Sequence, residues 1–215
     1  MLSIDTKAPA FTLLDQKGEK QTLSQYKDNY VLLYFYPKDM TEGCTKEACG
    51  FRDIMKDLKK QKITVLGVSL DDTDSHKKFV KAEKLNFPLL SDVKRKVSEV
   101  YGALKIKTDK KGETYSLTRM SYLIDTKGKI VKVYASVNTE KHAAQVLKDV
   151  MALKESMVKV PAKVLVKVPA KVTSKTVAKK VVAKKAPAKK NSATIAKIED
   201  PIIVTEEITI IEILD

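Results

Sequence analysis

At 215 residues and 43% apolar content the chain can bury a sizeable core, and its seven glycines and seven prolines exclude a collagen-like or wholly low-complexity protein. A formal net charge of +14 points to an anionic partner such as nucleic acid wherever the basic residues cluster. Only two cysteines occur, which excludes a disulfide scaffold, and neither a signal-peptide pattern nor a run of about 18 apolar residues is present, so a chain off the membrane in the reducing cytoplasm is expected.

Residues 1–153 alternate strand and helix signals. Residues 30–36, continuously apolar and rich in aromatic and β-branched side chains, read as a strand covered on both faces and ended by Pro37. Residues 44–60 read as one helix, with Phe51, Ile54, Met55 and Leu58 at helical spacing and Lys59 and Lys60 in the last turn. A second buried strand spans residues 63–70. Asp71 and Asp72 precede a helix over 74–85 with Phe79, Val80 and Leu85 on one side. Residues 87–92 lead into a short helix that ends near Tyr101 and Gly102. Strands over 120–125 and 130–134 are joined by a hairpin turn at 126–129, and a helix over 139–153 closes the unit. Strand and helix in alternation imply an α/β sandwich with a central sheet.

The composition changes near residue 154. Residues 154–190 hold twelve lysines against one acid, Glu155, and Lys159-Val160-Pro161-Ala162-Lys163-Val164 recurs at 167–172. Prolines at 161 and 169 oppose a continuous helix, and without aromatic residues this stretch cannot build a core, so 154–198 reads as a disordered basic tail. Lys179, Lys180, Lys184, Lys185, Lys189 and Lys190 are its candidate contacts to DNA or another polyanion, in a pattern similar to linker-histone and nucleoid-protein tails. That gives an alternative reading: a nucleic-acid-associated protein, nucleoid-bound or nuclear, whose thiol domain senses redox state. Residues 199–215 differ again, being apolar and acidic.

Both cysteines lie just beyond the first buried strand. Cys44 follows Gly43 at a strand-to-helix junction, where free backbone N–H groups favour thiolate over thiol. Thr41 serves either as a helix cap or as a hydrogen-bond partner for a substrate oxygen. In an ideal helix Cys44 and Cys49 have Cα atoms roughly 8.6 Å apart, beyond the limit of about 6.8 Å for a disulfide. A bridge between them therefore requires the helix to unwind. Cys49 taken alone reads equally as packing or as chemistry. A metal site built with His76 and His142 is disfavoured, because the cysteine spacing is not that of common zinc motifs and each histidine stands in a polar helical stretch where a solvated face is the default.

Pro37, Thr41 and Cys44 match the Pro-x-x-x-Thr-x-x-Cys signature of peroxiredoxins. With Thr45, Glu47, Ala48, Cys49 and Phe51-Arg52-Asp53, the chain resembles the bacterioferritin-comigratory, or peroxiredoxin Q, branch. Further matches at 8–13, 67–69 and 87–92, and Arg119 ahead of 121–125, extend the resemblance over about residues 3–150. It implies a thioredoxin-like sandwich with a central mixed sheet flanked by helices. It also implies a thiol peroxidase without cofactor or metal, a monomer acting on hydrogen peroxide and organic hydroperoxides with a thioredoxin-like reductant. Cys44 would be the peroxidatic nucleophile and Cys49 the resolving thiol of an intramolecular disulfide. Arg119 would support the thiolate, Thr41 and Gly43 would meet the peroxide, and Pro37 would wall the pocket. Glu42 departs from the branch, which commonly has proline there; its charge would either stabilise the helix start or oppose thiolate formation.

Overall fold

The computed structural model describes residues 1–110 and 112–158, without the side chains of Met157 and Val158. The lysine-rich tail beyond 158, with Lys179 to Lys190, and the acidic segment 199–215 lie outside the described residues. Two short strands, β1 (Thr12–Asp15) and β2 (Lys20–Thr22), precede β3 (Tyr30–Phe35), α1 (Glu42–Asp53), α2 (Met55–Lys60) and β4 (Ile63–Ser69). Then come α3 (Thr73–Glu83), β5 (Leu89–Ser91), α4 (Lys96–Val100), the hairpin β6 (Leu104–Asp109) and β7 (Gly112–Leu117), β8 (Met120–Ile124), β9 (Ile130–Tyr134) and α5 (His142–Val158).

Among the described residues, seven strands form one mixed sheet in the order β2-β1-β5-β4-β3-β8-β9. β3, β4 and β5 run parallel, and the other pairings in this sheet are antiparallel. All six residues of β3 are buried, as the unbroken apolar run requires, and its period of two splits them between two cores. Leu32 and Tyr34 join Phe51, Leu58, Phe79, Val146 and Val150 on one face. Val31, Leu33 and Phe35 join Leu66, Val68, Tyr101, Tyr122 and Ile124 on the other. A sheet covered on both faces is the α/β sandwich expected from the alternation of elements.

Three helices differ from expectation: α3 stops at Glu83, where Lys84 turns left-handed (φ 50°), which leaves Leu85 outside it. The helix read over 44–60 opens earlier, at Glu42, and is broken at Ile54, whose φ of −101° and ψ of 13° separate α1 from α2. The Arg52 carbonyl accepts from the Ile54 N–H and, at 3.2 Å, from Asn86 Nδ2, so an outside donor competes for the end of the helical ladder. α5 is regular from His142, not 139; Asn138 caps its leading turn, its Oδ1 accepting from the N–H groups of Glu140 and Lys141 and its carbonyl from the His142 N–H at 2.9 Å. α5 also runs past 153 to Val158, so residues 154–158, read as the start of the disordered tail, are helical.

Candidate active site

The C-terminal end of β3 delivers the chain into a short turn before α1, and buried polar bonds fix that turn. Asp39 is 5% exposed; its carboxylate accepts from Tyr36 Oη (2.7 Å) and Ser75 Oγ (2.7 Å) and contacts His76 Nδ1 at 2.8 Å. Its N–H donates to Asp71 Oδ2 at 2.9 Å. The turn is thereby tied to the start of α3, where Asp72 caps the Ser75 N–H. Met40 sits in the left-handed region (φ 58°), a conformation that an ordinary side chain tolerates only under such constraint.

Cys44 lies in the first turn of α1 and is 1% exposed. Thr41 occupies the N-cap position, yet its hydroxyl donates to the Lys38 carbonyl at 3.0 Å and does not cap the helix, which removes the capping role from that residue. The N–H groups of Gly43 and Cys44 consequently have no acceptor within the helix. Pro37 is half-buried beside the turn. Glu42 pairs with Lys46 at 3.0 Å and is 84% exposed, so its charge is screened by solvent and by its partner.

Arg119, in the link between β7 and β8, joins the sulfur to a buried acid. Its Nη2 donates to Cys44 Sγ at 3.2 Å and its Nη1 to Glu47 Oε2 at 2.5 Å. Gly43 makes room for this fork: a Cβ there would stand 3.3 Å from Arg119 Nη2. Behind the pair, Glu47 Oε1 lies 3.9 Å from His142 Nε2, which is 2.9 Å from Ser121 Oγ. Among the described residues, Tyr34 Oη, Glu47 Oε1 and His76 Nε2 are buried without a hydrogen-bond partner, each at a cost of about 1–3 kcal/mol. Burial, with the Glu47 and Cys44 charges behind it, pushes the Tyr34 phenol well above its ordinary value.

Two titrations follow from this packing. Burial pushes the Glu47 carboxyl from 4.5 up to about 7, against the pull of Arg119. Burial, with Arg119 adding to it and Asp149 opposing, pushes His142 from 6.5 down to about 4, leaving the imidazole neutral at neutral pH. Because Glu47 is raised on folding, its contribution to stability is full below pH 4.5 and is lost as pH rises through 7; because His142 is lowered, its contribution is present above pH 6.5 and is lost as pH falls through 4. The two oppose each other, and Glu47→Gln removes one of them. From about pH 7.5 to about pH 5, wild type should gain on the order of 2 kcal/mol over the variant in urea unfolding. A difference independent of pH would contradict the buried, proton-binding Glu47.

Cys49 stands apart from this cluster. It is half-buried outside both cores, and its Sγ donates to Glu83 Oε2 at 3.5 Å. Burial pushes its thiol up, Arg52 pulls it down, and the bond to Glu83 with the charges of Glu83 and Asp53 adds to the rise. Both thiols are free. The expectation of solvated histidines is overturned: His76 is 0% and His142 1% exposed, the first bonded to Asp39 and the second packed against Phe51 and Tyr134 at ring distances of 5.3 and 4.9 Å. Sequence reasoning thus missed Asp39, Glu47, His76 and His142. A signal existed for both histidines, since His76 precedes buried Phe79 by three residues and His142 precedes buried Val146 by four. Among the described residues, no group of three or more His, Cys, Asp or Glu side chains is placed to hold a metal ion, and no helix is long and apolar enough to cross a membrane.

Comparison with known proteins gives the same reading as the geometry. The AhpC/TSA family pattern matches residues 4–133. Peroxiredoxin Bcp of Escherichia coli K12 is 45% identical over 141 residues, covering 65% of this chain and 90% of that protein. The crystal structure of peroxidoxin BcpB from Mycobacterium tuberculosis superposes with a TM-score of 0.66 at 31% identity, covering 71% of this chain and 99% of that one. The bacterioferritin comigratory protein of Xanthomonas campestris, studied for its alkyl peroxide reduction activity, gives a TM-score of 0.62 at 29% identity over 66% and 91% of the two chains. With a thioredoxin-like mixed sheet, a cysteine on the first turn of a helix and an arginine on its sulfur, the chain belongs to the AhpC/TSA family, in its Bcp/peroxiredoxin Q branch of thiol peroxidases.

Proposed function

We propose that this peroxidase reduces hydrogen peroxide and organic hydroperoxides in a cycle carried by α1 and the residues packed on its first turn. The observation that carries the reading is Arg119 Nη2 at 3.2 Å from Cys44 Sγ. Cys44, as thiolate, attacks the distal peroxide oxygen; an S–O bond forms as the O–O bond breaks, and the departing oxygen takes up a proton to leave as water or alcohol. The guanidinium stays charged at any physiological pH and stabilises both the thiolate and the charge that spreads onto the peroxide. The Thr41 hydroxyl donates its hydrogen bond to the Lys38 carbonyl, so it offers the substrate a lone pair for the peroxide O–H. The free N–H groups of Gly43 and Cys44 suit an oxygen of the same substrate. Pro37 adds apolar surface at the turn and no donor, which keeps water from the sulfur. The alkyl peroxide activity of the Xanthomonas campestris protein supports including organic substrates.

Cys49 then attacks the Cys44 sulfenic acid: the S–S bond forms, the S–O bond breaks, and hydroxide leaves as water after taking up a proton. A thioredoxin-like reductant opens the disulfide. Both thiols stand on one helix, which supports a monomer as the working unit, and a chain with only two cysteines suits a reducing compartment such as the cytoplasm. The experiment is stopped-flow oxidation followed by turnover with a thioredoxin system. In Cys49→Ser, oxidation of Cys44 in the first turnover should persist while steady-state recycling falls by at least about tenfold. Recycling at the wild-type rate would remove Cys49 from the cycle.

A further inference from the structure

Cys49 lies about 140° around α1 from Cys44, facing the end of α3. Its thiol donates to the Glu83 carboxylate at 3.5 Å, and three residues on, Arg52 Nη1 donates to the Glu83 backbone carbonyl at 2.6 Å. Asn86 Nδ2, just beyond α3, returns a bond to the Arg52 carbonyl at 3.2 Å. The last residue of α3 thus accepts two donors from the half of α1 that carries the second thiol. The start of the same helix, through Ser75 and His76, holds the turn that leads to the first.

Resting on the cycle proposed above, we infer that Glu83 is a positioning residue for disulfide formation: its carboxylate holds the Cys49 thiol docked on α3, and the resolving attack waits for this latch to open. Burial is the first thing that opposes the Cys49 thiolate; of the charged groups facing it, Arg52 from its own helix favours the thiolate, and Glu83 from α3 and Asp53 from its own helix oppose it. A protonated thiol is a poor nucleophile, and a docked one cannot reach the Cys44 sulfur. While the latch is closed, the Cys44 sulfenic acid stays open to a second peroxide, which would carry it to sulfinic acid. Glu83 therefore sets the balance between recycling and inactivation.

Glu83→Gln removes the charge and keeps both the side-chain shape and the backbone carbonyl that Arg52 uses. The glutamine amide can still accept from the thiol, but without the charge; after a peroxide pulse, disulfide formation should be roughly 2- to 10-fold faster, the factor between a hydrogen bond to a charged acceptor and one to a neutral acceptor, with its pH midpoint displaced downward. In a Cys44→Ser background, the pH profile for alkylation of Cys49 by iodoacetamide should move to lower pH on adding Glu83→Gln. An unchanged alkylation profile overturns the proposal, and so does slower disulfide formation, which would make the carboxylate an aid to the attack. If Cys49 were not the resolving thiol, Cys49→Ser would reveal it through unimpaired recycling, while the alkylation profile would still report on Glu83. The two failures are therefore separable.

Discussion

Replacing Cys44 by serine is expected to abolish peroxide consumption driven by a thioredoxin system. The hydroxyl cannot supply the nucleophile, because an alcohol is far weaker an acid than a thiol and Arg119 alone cannot hold an alkoxide in water. The substitution is nearly isosteric, but it places a hydroxyl in a core position that is 1% exposed, beside Arg119. A modest destabilisation, on the order of 1 kcal/mol, should accompany the loss. Thermal unfolding of the variant separates the two effects. A folded variant that consumes peroxide within about tenfold of wild type would remove Cys44 from the chemistry.

Arg119→Met should lower the second-order rate of Cys44 oxidation by about 10²- to 10³-fold, the range seen when one preorganised donor is removed from a reacting centre. Two bonds disappear together, one to the sulfur and one to Glu47. Methionine fills much of the space but leaves a carboxyl with 0% side-chain exposure without its cation, and a carboxyl already raised to about 7 will then take a proton at neutral pH. Lysine in the same place would keep a positive charge but lacks the planar fork that serves sulfur and carboxylate at once, so it should recover only part of the rate. Stopped-flow oxidation with hydrogen peroxide measures all three proteins. A rate within about threefold of wild type in Arg119→Met would show that the helix start suffices without it.

The parts of this site that one can read from the chain are those that are contiguous. Pro37, Thr41, Gly43 and Cys44 fall within eight residues, and an unbroken apolar strand followed by a helix start places them at the end of a central strand. Arg119 lies 75 positions from Cys44 and was reached only through family resemblance, since no local pattern distinguishes it from other cations. Glu47 stood within the recognised motif, yet its burial depends on α5 and the link before β8 closing over α1, which no period along α1 encodes. The histidines were misjudged because lysines and acids surround them in sequence, although their spacing to Phe79 and Val146 put them on the inner faces. The hairpin of β6 and β7 passed unnoticed although Leu104-Lys105-Ile106-Lys107 and Tyr115-Ser116-Leu117 alternate apolar and polar residues; nearly all its residues are exposed, so the alternation is short and feeds neither core strongly. Arg95 lies over the Tyr115 ring at 3.9 Å and pins that hairpin to α4.

The interruption at Ile54 bears on the thermodynamics of the cycle. A single rod from Glu42 to Lys60 would couple any melting of its start to Met55 and Leu58, and so to the heart of one core. With the ladder already cut, the free-energy cost of opening is confined to α1, while α2 stays anchored against β4. The backbone entropy released by the freed turns, about 1–2 kcal/mol per residue, offsets part of the contacts given up. Oxidation can then run as a subglobal transition, well below the free energy of unfolding the whole domain.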